Sequence, residues 1–75
     1  MITPAQIRAA RALLDIDLST VARSATLSVT SLGRIERGEV DPRASTLARI
    51  QTVLEALGIE FRNEGGSIGV TLRKG

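Results

Sequence analysis

The spacing of apolar residues along the chain changes once, near Gly58, and that change predicts the fold. Before it the period is helical. Ile7, Ala10, Leu13 and Leu14 form one stripe of a helix from Pro4 to about Leu14. Thr3 caps this helix, Pro4 takes its first position and Gln6 reaches back to complete a capping box. A second helix opens at Leu18 behind the N-cap Asp17 and carries Val21, Ala22 and Ala25. A third follows the N-cap Ser28, turns Leu32 and Ile35 inward and stops at Gly38. Glu39–Ala44 is a loop, because Asp41-Pro42 blocks a helix there. Ser45 then caps a fourth helix with Leu47, Ile50, Val53, Leu54 and Leu57 on its apolar side and Gly58 at its end.

From Ile59 the period is two. Ile59 and Phe61, then Ile68, Val70 and Leu72, alternate with polar residues or glycine on either side of Asn63-Glu64-Gly65-Gly66-Ser67. This is a β-hairpin with one apolar face. Gly65-Gly66 reads as its turn and not as a phosphate-binding loop, since neither a lysine nor a helix start follows. The expected fold class is therefore mainly α, four helices with a C-terminal two-stranded hairpin. A lone hairpin is marginal in water and its edges are unpaired. Its apolar face is expected both to cover the helices and to pair with a second chain, which makes Ile59, Phe61, Ile68, Val70 and Leu72 the dimerisation residues of a homodimer.

The stretch Asp17–Gly38, DLSTVARSATLSVTSLGRIERG, reads as two short helices crossing steeply over a tight turn. Ala22 permits the close approach, and Val21, Ala25, Leu27, Leu32 and Ile35 supply the buried contacts. With IERGEVDPRASTLARI after it, this stretch resembles the Cro/repressor-type (XRE family) helix-turn-helix regulators over roughly residues 3–58. The resemblance implies a lambda-repressor-like four-helix domain and a DNA-binding transcriptional regulator, a repressor type, of prokaryotic origin. It also implies a structural pair between Arg11 and Glu36 that ties the first helix to the end of the third. Two positions depart from the family pattern: Thr26 stands where the turn prefers glycine, and Leu18 where a phosphate-contacting glutamine is usual.

Length and composition narrow the function. The 75 residues suffice for one domain with a small core. Residues 1–58 are expected to form its DNA-binding part, and residues 59–75 the hairpin as a dimerisation element of the same domain. The formal charge is +2 and nine of the ten basic residues are arginine, which suits bidentate phosphate and guanine contacts. A genome rich in G and C accounts for the arginines equally well. With no cysteine and no histidine, the chain lacks the usual zinc ligands, a disulfide, a redox motif and a histidine base, so neither an enzyme nor a metal or other cofactor is expected. One phenylalanine and no other aromatic leave no platform for stacking unpaired bases, which favours duplex DNA over single strands or RNA. No apolar run approaches a membrane span and no leader-like segment opens the chain, so a cytoplasmic protein is expected.

In such a motif the N-terminal part of the second helix enters the major groove. The expected base-reading residues are Ser28, Val29, Thr30, Gly33 and Arg34, with Arg34 the one whose fork matches guanine O6 and N7 and Gly33 present to allow close approach. Ser31, Arg23, Arg37 and Arg43 are the expected phosphate contacts, and the partner is double-stranded DNA with a palindromic operator. Leu18, expected to be exposed at a helix start, cannot donate to a phosphate. It motivates the alternative of a helix-turn-helix surface that serves a protein partner, as in an antiactivator or an antitoxin-like protein.

Overall fold

The computed structural model describes residues 1–74; Gly75, the last residue of the expected hairpin segment, lies outside the described residues. Four helices, α1 (Pro4–Leu14), α2 (Leu18–Ser24), α3 (Val29–Glu36) and α4 (Ala44–Ala56), precede two antiparallel strands, β1 (Ile59–Glu64) and β2 (Ser67–Leu72). The first three helices begin where capping chemistry predicts. The Thr3 hydroxyl accepts from the Gln6 N–H while the Gln6 side chain accepts from the Thr3 N–H, Asp17 accepts from the Thr20 N–H, and Ser28 from the Ser31 N–H. These contacts satisfy donors that a helix start otherwise leaves free. The Thr20 and Ser19 hydrogen bonds hold the Asp17 carboxyl below the usual aspartate range.

Three sequence expectations are corrected. Ser45 does not cap α4: the helix is entered earlier, with Arg43 at the N-cap and no side-chain cap, because the Leu47 N–H already bonds the Arg43 carbonyl at 3.1 Å. Leu13 is exposed although it shares a flank of α1 with the buried Gln6, seven residues earlier, because the hairpin covers that flank at Gln6 near the start of the helix and Leu13 stands at its other end. Leu57 is exposed too; it lies past the last helical residue, where Gly58 at φ +103° turns the chain toward β1.

The core forms where α1, α2, α3 and α4 converge, with Ile7, Val21, Leu32, Ile50 and Leu54 fully enclosed. The hairpin lies over α1 and α4, β2 along α1 and β1 against α4. Its pairs Ile59↔Leu72, Phe61↔Val70 and Asn63↔Ile68 share the face turned to the helices. Ile59 is buried in the chain's own core, so it is not available for contact with a second chain; Phe61, Val70 and Leu72 are half-buried and Ile68 is exposed. The strands pair within the chain. A polar anchor holds them down: the buried Gln6 amide donates to Asn63 Oδ1 at 2.6 Å and to the Gly69 carbonyl at 2.9 Å, and Asn63 in turn donates to the Met1 carbonyl at 2.8 Å. Among the described residues no helix is long and apolar enough to cross a membrane.

Candidate nucleic-acid interface

α2 and α3 meet over a turn whose backbone is fixed by the chain itself. The N–H groups of Ala25, Thr26 and Leu27 donate to the carbonyls of Val21, Arg23 and Ala22 at 2.9, 3.1 and 2.8 Å. Arg49 on α4 adds a bond from its Nε to the Ala25 carbonyl at 3.1 Å, a brace that its exposed position in the helical pattern gave no reason to expect. To redirect the chain, Thr26 takes φ +59°. A β-branched residue there stores strain on the order of 1–3 kcal/mol. Thr26→Gly is therefore expected to stabilise the fold by about 1 kcal/mol, the strain relieved being partly offset by glycine's greater unfolded-state entropy. Urea unfolding reads the outcome, and a lowered midpoint would show that threonine is unstrained in this turn.

The face of α3 follows from its rotation. Leu32, Gly33, Ile35 and Glu36 are buried, which leaves Thr30, Arg34 and Arg37, at i, i+4 and i+7, as one exposed ridge. Ser28 and Val29 form the exposed N-terminal end, with Val29 47% exposed. Ser31 lies beside the ridge, its hydroxyl 2.9 Å from that of Ser28. Arg34 and Ser31 also line a cleft against Val40, Pro42 and Thr46, and Arg43 follows at the start of α4. Arg23 stands on the side of α2 turned away from Val21 and Ala22, at the opposite end of that helix from Leu18.

Gly33 is corrected as a base-reading position. It is buried on the flank of α3 that meets α2, and a Cβ there would lie 3.2 Å from Arg37 Nη1 and 3.5 Å from Leu18 Cδ2. It makes room for the side chains crossing it. Leu18 is corrected by the same contact: it is half-buried and packed against the core, so the position that departs from the family pattern closes the seam between the helices instead of projecting into solvent.

The orientation of α3 is set from behind. Arg11 Nε and Nη2 donate to the two carboxylate oxygens of Glu36 at 2.7 and 2.9 Å, a bidentate pair in which the Glu36 side chain is 5% and the Arg11 side chain 26% exposed. The hydrogen bond to Glu36 raises the Arg11 pKa above its ordinary value. Arg11 Nη1 also reaches the Ile16 carbonyl, and Arg8 donates to the Glu36 carbonyl, so two arginines of α1 grip the last turn of α3. The expected Arg11–Glu36 pair is thus present in the described geometry.

In front, charge is unevenly free. Arg37 pairs with Glu39, raising its own pKa, and the bond holds the Glu39 carboxyl below the usual range with a smaller contribution from Arg34. Arg34 forms no salt bridge among the described residues. Fold and exposed ridge together define a helix-turn-helix domain. A helix-turn-helix family model matches residues 7–62, more than half of the chain. The chain belongs to the helix-turn-helix family, of the Cro/XRE type, a family of DNA-binding regulators. No curated protein matches it.

Proposed function

We propose that the chain is a sequence-specific double-stranded DNA-binding transcriptional regulator of prokaryotic type, working in the cytoplasm as a symmetric dimer on a palindromic operator. The observation that carries this reading is the ridge Thr30–Arg34 on a capped helix, backed by a partly buried ion pair and carrying one arginine without an acidic partner among the described residues. With α3 in the major groove, Arg34 donates to guanine O6 and N7, Thr30 and Ser28 exchange hydrogen bonds with base edges and Val29 packs on a thymine methyl. Ser31, Arg23, Arg37 and Arg43 contact phosphates, Arg37 after leaving Glu39. A dimer presents two such helices about 34–36 Å apart, one turn of duplex.

Arg34→Ala is expected to lose about 1–3 kcal/mol on the true operator and to relax preference at one base pair, with random duplex bound nearly as before. Equal losses on both duplexes would make Arg34 a phosphate contact. The second reading, a helix-turn-helix surface that engages a protein, is favoured by one observation: α2 starts with the exposed acid Asp17 and with Leu18 turned into the α2–α3 seam, neither of which donates a side-chain hydrogen bond to a phosphate.

A further inference from the structure

The turn that ends α3 brings one carboxylate up to the exposed arginines of that helix. The Gly38 and Glu39 N–H groups donate to the Ile35 and Arg34 carbonyls at 3.0 and 2.9 Å, and Gly38 takes φ +73°. This is a Schellman close, in which the residue after the glycine folds back over the last turn, often with an apolar contact. Here that residue is an acid. The Glu39 carboxylate accepts from Arg37 Nε and lies in the field of Arg34. Arg37 is drawn back along the helix as well, its Nη1 lying 3.2 Å from the point a Cβ on Gly33 would occupy, with Leu18 Cδ2 3.5 Å from the same point. Stability does not account for Glu39. An acid near a helix C-terminus opposes the macrodipole, and the Arg37 and Glu39 side chains are 59% and 50% exposed, where an ion pair contributes little.

We propose that Glu39 is a built-in competitor for DNA: its carboxylate holds the Arg37 guanidinium in the free chain and gives it up to a phosphate in the complex, so that it lowers affinity for every duplex without changing base preference. This deepens the DNA-binding function proposed above and rests on it. A carboxylate and a phosphate oxygen are the same kind of acceptor for an arginine fork. A phosphate that reaches Arg37 must therefore displace Glu39 and then lie beside a group of like charge. That cost falls equally on operator and random duplex, because phosphate contacts carry no sequence information. Arg34 pays none of it in broken bonds, since among the described residues it forms no salt bridge. Glu39 thus sets how tightly the protein holds DNA, and the exposed ridge sets where.

Glu39→Gln tests this, because it removes the charge and keeps both the size of the side chain and the backbone bond to Arg34. With the circular dichroism spectrum retained, it is expected to tighten binding about threefold to tenfold on upstream and random duplex alike near ~50 mM salt, an exposed pair being worth at most about fivefold on each chain. The gain should shrink toward ~200 mM as the pair is screened. The ratio of the two affinities is expected to stay within about twofold of the parent's. Arg37→Gln is expected to weaken binding to both duplexes, and in that background Glu39→Gln should change affinity less than about twofold, the bond it acts through being already gone. An equal gain in the Arg37→Gln background would mean that Glu39 acts as a distant charge and overturns the competitor. Binding that Glu39→Gln leaves unchanged or weakens overturns it too, the latter by making Glu39 a group that orients Arg37 for DNA. Each of these results leaves the DNA reading standing. A parent chain that binds neither duplex at low salt overturns the DNA reading and the competitor with it.

Discussion

Arg11→Ala is expected to lower the free energy of unfolding by roughly 3–5 kcal/mol, the largest effect of any single change outside the apolar core. The asymmetry of the pair sets the size. Removing Arg11 strands the Glu36 carboxylate where its side chain is only 5% exposed, without the two donors at 2.7 and 2.9 Å that neutralise it. Removing Glu36 instead leaves a guanidinium that is 26% exposed, still bonded to the Ile16 carbonyl and able to turn into water. Glu36→Ala should accordingly lose less, about 1.5–3 kcal/mol, the range for hydrogen bonds to a charged group. The double variant should fall well short of the sum, because each single variant removes the same bonds. Denaturant unfolding of the three variants measures this, and equal small losses for both single variants would mean that the pair is solvated. Since Glu36 ends α3, either change should also loosen the recognition helix against α1 and weaken operator binding beyond what stability alone explains.

Gln6→Glu is expected to lose roughly 2–4 kcal/mol at neutral pH and to recover part of it on acidification. The parent amide is used at both ends. Its oxygen accepts from the Thr3 N–H at 3.0 Å, and its nitrogen donates to Asn63 Oδ1 at 2.6 Å, to the Gly69 carbonyl at 2.9 Å and to the Arg62 carbonyl at 3.4 Å. Glutamate keeps the shape and the cap but turns a second acceptor, with charge, toward three acceptors in a site that is 2% exposed at Gln6. The folded state then binds a proton more readily than the unfolded one. The deficit is full above the folded pKa of the new carboxyl and shrinks as pH falls through it, when the acid becomes a donor. Hydrogen exchange should show the hairpin amides losing protection before those of α3 and α4. Uniform loss across the chain would mean that Gln6 supports the whole fold and not the hairpin in particular.

How far the sequence alone reaches is clearest at residues whose roles are local. The caps Thr3, Asp17 and Ser28 and the stop at Gly38 were legible, because each rests on chemistry within four residues. The inward pair Leu32 and Ile35 was legible from helical spacing, and the hairpin from the change to a period of two. Arg11–Glu36 was legible only through family resemblance, since nothing local joins residues 25 apart. What stayed hidden depends on how elements rotate against one another. Gln6 and Leu13, seven residues apart, share one flank of α1, and which of them is covered is decided by where along the helix the hairpin lies. Gly33 and Leu18 looked exposed in one dimension, yet a Cβ on Gly33 would meet the Leu18 side chain across the α2–α3 seam. Arg49 braces the turn from a helix that begins 17 residues after the turn ends at Leu27, a distance at which sequence pattern carries no signal.

The central claim, that α3 binds duplex DNA in the major groove, is tested most directly by titrating the protein with duplex from its own upstream region and with random duplex, each at two salt concentrations. Three arginines on each chain, Arg23, Arg37 and Arg43, are assigned to phosphates, so a dimer releases the counterions of about six. Log affinity should then fall against log salt with a slope of about −5, close to a thousand-fold loss between ~50 and ~200 mM, with the upstream duplex bound more tightly than the random one at both. Failure to bind either duplex at low salt, or an affinity that scarcely moves with salt, would contradict the claim and leave the α3 ridge as a surface for a protein.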